Sequence, residues 1–178
     1  VGVRDPQGFR PLCLGKTEHG YVLSSESCAF DAIKAEFIRD IDPGEMVIIN
    51  DRGVRSTIYA EPQKIDKKLC VFEYIYFARS DSKIDGQSVY ETRLNMGREL
   101  YNETNYDADI VMSIPDSGTT AALGYARASG IPFAEGLIKN RYSGRTFIKP
   151  NQEERELAVR MKLNAMPEVV GGDRKSVV

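Results

Sequence analysis

The sequence predicts an α/β chain whose N-terminal part is α+β. Three observations carry that prediction. Residues 1–60 hold short β-rich runs between turn signals, with room for one helix among them. "GQSVYETRLNMGRELYNE" (86–103) has the spacing of an amphipathic helix. From residue 107 apolar runs alternate with polar turns and a short helical stretch, as in a parallel sheet with crossover helices.

In order along the chain, Asp5-Pro6-Gln7-Gly8 is a turn and "YVLSS" (21–25) a short strand. "ESCAFDAIKAEF" (26–37) places Phe30, Ile33 and Phe37 at helical spacing. "GEMVIINDRGVRSTIYA" predicts a hairpin around Asn50-Asp51-Arg52-Gly53. The polar "EPQKIDKK" (61–68) is the best linker candidate, and the aromatic "CVFEYIYFARSDS" (70–82) a candidate for a buried connector. The helix over 86–103 offers Val89, Leu94, Met96 and Leu100 to a core. "ADIVMSI" (108–114) is a buried strand, 121–130 a helix that Gly130 can close, and "IPFAEGLI" (131–138) a second strand. A helix is predicted over 151–166, capped by Asn151, with Glu153, Glu154 and Glu156 early and Arg160 and Lys162 late. "KSVV" would begin another strand.

A length of 178 residues suits one domain or parts of two. With 24 Lys and Arg against 26 Asp and Glu, the chain lacks the basic excess of a nucleic-acid binder. No apolar run of about 18 residues appears, so no membrane span is expected. No signal peptide is evident. Cys13, Cys28 and Cys70 are odd in number, far apart and without a CxxC pair, which argues against a zinc site or a disulfide framework and for a reducing cytoplasm. Cys13 and Cys28 read as core thiols. His19 lies in a polar turn and is assigned no role. The chain opens without Met and stops on an apolar run, so it reads as a stretch of a longer protein.

Two segments carry chemistry. "PDSGTT" (115–120) joins a strand to a helix. Its Ser117, Thr119 and Thr120 offer hydroxyls, and Gly118 lets backbone approach a ligand. The N–H groups of the helix start favour an anion. One strand later, "KNRYSGRTFIKP" (139–150) carries Lys139, Arg141, Arg145 and Lys149 and no acid. In a parallel sheet both segments emerge at the carboxyl edge, where ligands of open α/β sheets bind. Arginine clamps phosphate in bidentate fashion and lysine offers a point charge. An ordinary helix cap and a solvated loop remain the competing explanations for each segment alone.

"RDPQGFRPL", "SSESCAFD", "PGEMVIIN", "FEYIYFARSDS", "PDSGTTAALGYA" and "GLIKNRYSGRTFIKP" occur in this order. Together they resemble the amidophosphoribosyltransferases over essentially the whole chain. The one departure noted, Ser80 where the family has proline, loosens the connector slightly. The resemblance implies the last part of an N-terminal-nucleophile glutaminase domain, an αββα sandwich, at 1–68. It implies an interdomain connector at 69–85 and the first half of a type I phosphoribosyltransferase domain at 86–178. It implies the reaction of purine synthesis in which glutamine, water and phosphoribosylpyrophosphate give phosphoribosylamine, pyrophosphate and glutamate, with ammonia passing through an internal channel.

By the same resemblance "PDSGTT" binds pyrophosphate through Asp116, Ser117, Gly118 and Thr119, with Ser117 at a Mg²⁺ position. The cationic loop closes over phosphoribosylpyrophosphate, with Lys139, Arg141 and Arg145 as phosphate contacts and Lys162 as a weaker one. Cys70 matches a position that holds a 4Fe-4S cluster in one branch of the family and is a plain buried thiol in others. Tyr74 and Tyr76 lie where the two sites communicate, or simply in aromatic core. Arg4 and Asp5 read as an ion pair in a turn. The nucleophile cysteine is expected upstream and the ribose-binding double-aspartate signature after "KSVV", so these residues alone are not expected to turn over. Purine nucleotides are expected as inhibitors, and the parent as a homo-oligomer. The competing class is a non-catalytic sensor that keeps a phosphoribosyltransferase-like domain to bind a nucleotide or phosphoribosylpyrophosphate.

Overall fold

The computed structural model describes residues 1–144, 146 and 148–171, with the backbone of 176–177. Two compact units divide the chain, Val1–Thr92 and Arg93–Val178. Its mixed α and β content is that of the predicted α/β class.

In the first unit β1 (Gly2–Val3), β5 (Glu45–Asn50) and β6 (Gly53–Ile58) form one antiparallel sheet in the order β1-β5-β6. The predicted hairpin is there, with Asn50 opposite Gly53. A second antiparallel sheet runs β3 (Gly20–Ser24), β2 (Cys13–Thr17), β4 (Glu36–Asp40). Leu14 from one sheet, Val47 from the other and Ile41 make a shared core, with Ile41 and Val47 fully buried. Each such side chain stabilises the fold by roughly 1.5–3 kcal/mol relative to exposure.

The helix predicted over 26–37 is much shorter. α1 spans Cys28–Ala32, Lys34 takes a left-handed φ of 54°, and residues from Glu36 pair with β2 instead. Phe30 is buried, whereas Ile33 and Phe37 are exposed. Strand pairing captured the second half of an apparent helical stripe.

Buried and half-buried charges tie distant segments of this unit together. Arg4, 2% exposed, uses all five donors: on the carbonyls of Gly8, Arg10 and Ile41 and on both carboxylate oxygens of Asp85, at 2.9 and 3.0 Å. Its partner is thus Asp85 and not the expected Asp5, which instead accepts the N–H groups of Gln7 and Phe9. Burial pushes the Asp85 carboxyl up, but Arg4 and Lys67 outweigh it and leave the group lowered. Glu26 accepts the Arg79 N–H and the Ser82 hydroxyl, both at 2.8 Å. The polar 61–68 segment is held in this unit by a 3₁₀ turn at Pro62–Lys64 and by Asp66 and Lys68 N–H bonds to the carbonyls of Pro6 and Gln7.

Residues 70–82 are not buried as a whole. Glu73–Phe77 makes a π-helical turn in which Glu73 is buried, while Phe72, Ile75, Tyr76 and Phe77 are exposed. Tyr74 packs on Ala78, Ile84 and Val89 and donates to the Ile84 carbonyl, so it is core; Tyr76 is not. A small hairpin, β7 (Lys83–Ile84) with β8 (Gln87–Ser88), precedes α2 (Val89–Thr104). Of the four residues offered to the core, Val89 and Leu94 are buried, Met96 half-buried and Leu100 exposed.

In the second unit β9 (Ile110–Val111) pairs in parallel with β12 (Ser176–Val177), as expected for the start of a strand at "KSVV". A further parallel bridge joins Val111 to Phe133. β9 is shorter than the predicted 108–114, because Ser113 turns aside to the Thr119 hydroxyl at 3.1 Å. α3 (Thr119–Ser129) is closed by Gly130 at φ 76°, the left-handed cap that glycine takes without cost. The run predicted as one strand over 131–138 breaks at Ala134–Gly136, and only β10 (Leu137–Lys139) continues, antiparallel to β11 (Leu163–Ala165). α4 (Gln152–Lys162) therefore ends four residues before the predicted 166. Asn151 caps it as predicted, accepting the Glu154 N–H at 2.8 Å. A short α5 (Pro167–Val170) follows.

α2 and α3 cross where both carry glycine. A β-carbon at Gly97 would collide with the Ala121 carbonyl oxygen, and one at Gly124 with that of Leu94. Beside the crossing, Tyr125 is buried edge-on to Tyr101, 5.5 Å between ring centres, and packs on Val111. Gly97→Ala and Gly124→Ala should each cost about 1–3 kcal/mol, the range of overpacking, in a denaturant melt; a loss below about 0.5 kcal/mol would contradict this close contact.

Acid should act chiefly through Glu45. It is 4% exposed and gripped by Arg39 at 2.5 and 2.8 Å, and the Arg39 hydrogen bond draws its carboxyl from 4.5 down to about 2. A lowered carboxyl contributes stability above its unfolded value and loses it as pH falls through the folded one. Wild type should therefore lose on the order of 2–3 kcal/mol between pH 4.5 and 2 that Glu45→Gln does not lose. Parallel acid titrations of both would contradict that assignment.

Candidate functional site

The site lies in the second unit, at the turn between β9 and α3. Pro115–Ser117 leave the strand, and Gly118 sits at the N-cap of α3 with an ordinary φ of −75°. Thr119 and Thr120 are already helical, and Thr120 is buried. Asp116 and Ser117 are exposed at the tip. The N–H groups of Gly118 and Thr119 make long 3.3 Å bonds to the carbonyls of Ile114 and Asp116, so they are not idle donors as the sequence suggested. A β-carbon at Gly118 would stand 2.9 Å from the Ile114 oxygen, so glycine here serves the tightness of the turn itself. Behind the turn is an apolar cavity of about 230 Å³ bordered by Val111, Ile114, Ala121 and Tyr125.

The cationic segment starts at the last residue of β10. Lys139 reaches across 23 residues of sequence to Asp116, with Nζ 2.5 Å from Oδ2. The two segments that the sequence expected at one edge are therefore in direct contact. Asp116 is 71% exposed and Lys139 27%. An ion pair this exposed contributes little stability, about 0–1 kcal/mol, and can be exchanged for other partners.

Arg141 is exposed in the turn after Lys139. Lys162, at the end of α4, donates to the Gly144 carbonyl at 3.2 Å and so holds the loop and not the Asp116 turn. Arg145 lies outside the described residues. Of the two loop aromatics, Tyr142 is fully exposed and Phe147 lies outside the described residues.

Asn140 was missed by sequence reasoning. Its N–H donates to the Lys162 carbonyl at 2.7 Å, its amide nitrogen to that of Met161, and its side-chain oxygen accepts the Tyr142 N–H. It staples both ends of the loop. The last of these contacts is an Asx turn, which an asparagine between a strand and a polar segment can signal.

The three cysteines are not grouped with one another, so a cluster with Cys70 as a ligand, as the resemblance implies for one branch of the family, would take its other thiolates from outside these residues. A 4Fe-4S centre needs four thiolates. Cys13 and Cys28 are buried in the first unit, and burial pushes the Cys13 thiol up to about 12. Cys70 alone is half-buried. Among the described residues no three His, Cys, Asp or Glu side chains are grouped to hold a metal ion.

No family model matches the chain. Individual relatives do. It is 53% identical over 178 residues to the amidophosphoribosyltransferase of Archaeoglobus fulgidus, covering all of this chain and 38% of that protein. With that of Bacillus subtilis it shares 51% over 174 residues, covering 98% of this chain and 36% of that protein. The solved glutamine phosphoribosylpyrophosphate amidotransferase of Bacillus subtilis, complexed with ADP and GMP, superposes with a TM-score of 0.83 at 51% identity over 93% of this chain and 36% of that one.

Over its whole length the chain is similar to amidophosphoribosyltransferases. It spans little more than a third of the length of these relatives. Among the described residues no helix is long and apolar enough to cross a membrane.

Proposed function

We propose that this chain carries the pyrophosphate end of the phosphoribosylpyrophosphate site of an amidophosphoribosyltransferase. The parent would release ammonia from glutamine at one site and deliver it to phosphoribosylpyrophosphate at the other, as a step of purine synthesis. The single observation that carries the reading is Lys139 seated on Asp116, which brings the cationic segment to the polar turn at the start of α3. On this reading residues 1–68 are the end of the glutaminase sandwich, 69–85 the connector and 86–178 the first half of a type I phosphoribosyltransferase domain. The two antiparallel sheets over one core and the parallel contacts of β9 support it.

Lys139 and Arg141 would take phosphate oxygens, and Ser117 and Thr119 would offer hydroxyls. Mg²⁺ suits this donor set. The exposed hard oxygens of Ser117 and Asp116 are few, and Mg²⁺ keeps waters and substrate phosphates in its shell and needs no protein cage. Once bound it would offset phosphate charge. A 4Fe-4S cluster is carried as a further proposal, with the half-buried Cys70 as one ligand and three thiolates from the rest of the parent. Purine nucleotides are proposed as inhibitors, supported by the ADP and GMP in the Bacillus subtilis structure. A homo-oligomer and a cytoplasmic location are carried as further proposals, the latter supported by three free thiols.

Calorimetry with phosphoribosylpyrophosphate on the whole protein tests the site. Lys139→Gln and Arg141→Gln should each weaken binding by about 10–100-fold, the worth of one hydrogen bond to a charged group. Unchanged affinity in both variants would overturn the placement.

A further inference from the structure

A second cationic place in the second unit is left unused by the pyrophosphate reading. A groove of about 410 Å³ runs along α4. Among the described residues it is bordered by Thr146, Gln152, Arg155, Glu156, Val159 and Arg160, and by neither Asp116 nor Lys139. The five helical positions recur at three- and four-residue spacing, so one side of α4 makes this wall. Arg155 Nε is buried and has no partner among the described residues. A desolvated N–H left unpaired is costly, and such a group in a folded protein calls for an acceptor. Arg160 has no acid among the described residues either. Glu156 stands one turn before it, at the spacing that favours an ion pair, yet Glu156 Oε1 accepts from Gln152 Nε2 at 3.0 Å. Two guanidinium groups thus border one groove with a single carboxylate beside them, and that carboxylate is engaged by an amide.

We propose that this groove is a second anion site, separate from the Asp116–Lys139 site, and that it takes the phosphate group of a small phosphorylated metabolite. Guanidinium forks donate to phosphate oxygens in pairs, and Arg155 Nε–H supplies the donor that the fold leaves unused. Arg155 and Arg160 start five residues apart on the helix, so they approach a ligand from different directions. The tetrahedral oxygens of a phosphate can serve both at once, whereas the two coplanar oxygens of a carboxylate suit one fork. The Thr146 hydroxyl adds a neutral donor at the rim, and Val159 gives an apolar wall for the carbon part of an ester. The groove has room for that carbon part beside the phosphate. None of these residues belongs to the pyrophosphate reading above, so the inference stands or falls apart from it.

The test is calorimetry with glycerol 3-phosphate on the whole protein carrying this sequence, in a Lys139→Gln background that weakens the first site. Binding should persist there. Adding Arg155→Gln or Arg160→Gln should weaken it by about 10–100-fold, the worth of one hydrogen bond to a charged group. Arg155→Lys keeps the charge but loses the fork and should lose part of that affinity. Arg160 is exposed, so its replacement leaves the fold intact, as a melt would verify. Glycerate, the carboxylate counterpart, should bind at least about tenfold more weakly than the phosphate. No binding of glycerol 3-phosphate in the background, or equal affinity in the Arg160→Gln variant, would overturn the proposal. Glycerate binding as tightly as the phosphate would overturn its choice of ligand. Arg155→Gln that weakens pyrophosphate binding as much as Lys139→Gln does would make the groove part of the first site and overturn it as a second one. Each of these failures leaves the Asp116–Lys139 reading to its own test.

Discussion

How closely α2 and α3 can approach decides the second unit. With hydrogen in place of a side chain at Gly97 and Gly124, backbone meets backbone, and Tyr125 is brought onto Val111 of β9. That contact fixes where α3 begins relative to the strand. It therefore fixes the turn at 115–118 and the position of Asp116. Lys139 then reaches the turn from β10, whose place is set by pairing with β11. Packing at one helix crossing thus determines the geometry of a charged surface site whose own ion pair is too exposed to hold it.

The first unit is organised differently. Its sheets share a compact apolar core, but long-range order comes from buried charge. Arg4 joins segments more than 80 residues apart in sequence, with every donor satisfied. The half-buried Glu26 does the same over more than 50 residues, whereas the buried Glu45 meets Arg39 six residues away. Removing one partner of such a group leaves the other buried and unpaired, which costs more than the pair contributes. These residues therefore specify how the connector folds back and need no catalytic role.

The sequence was most legible where local chemistry decides. The Asn50–Gly53 hairpin, the Asn151 cap and the Gly130 stop each depend on a few neighbouring residues, and each formed as expected. It was least legible where a distant strand competes with helical spacing. Phe37 and Leu163 both lie in stretches of helical pattern, and both were taken into strands by partners far along the chain. The aromatic run at 70–82 suggested burial through composition, yet only Glu73, Ala78 and Ser82 are buried. At the site, the two segments were recognisable as residue types and were expected at one edge, but the ion pair through Lys139 that joins them was not. Asn140 gave only a weak turn signal, because its main partners lie some twenty residues away. The family resemblance rested on motif order and was confirmed by relatives at 51–53% identity.

The central claim is that the turn at 115–120 and the segment from Lys139 form one anion site. Amide hydrogen exchange of the whole protein, with and without Mg²⁺-pyrophosphate, tests it most directly. Slower exchange on ligand addition at both 117–120 and 139–144, with the first unit's sheets unchanged, is the predicted result. Protection confined to one of the two segments, or located elsewhere in the chain, would contradict it.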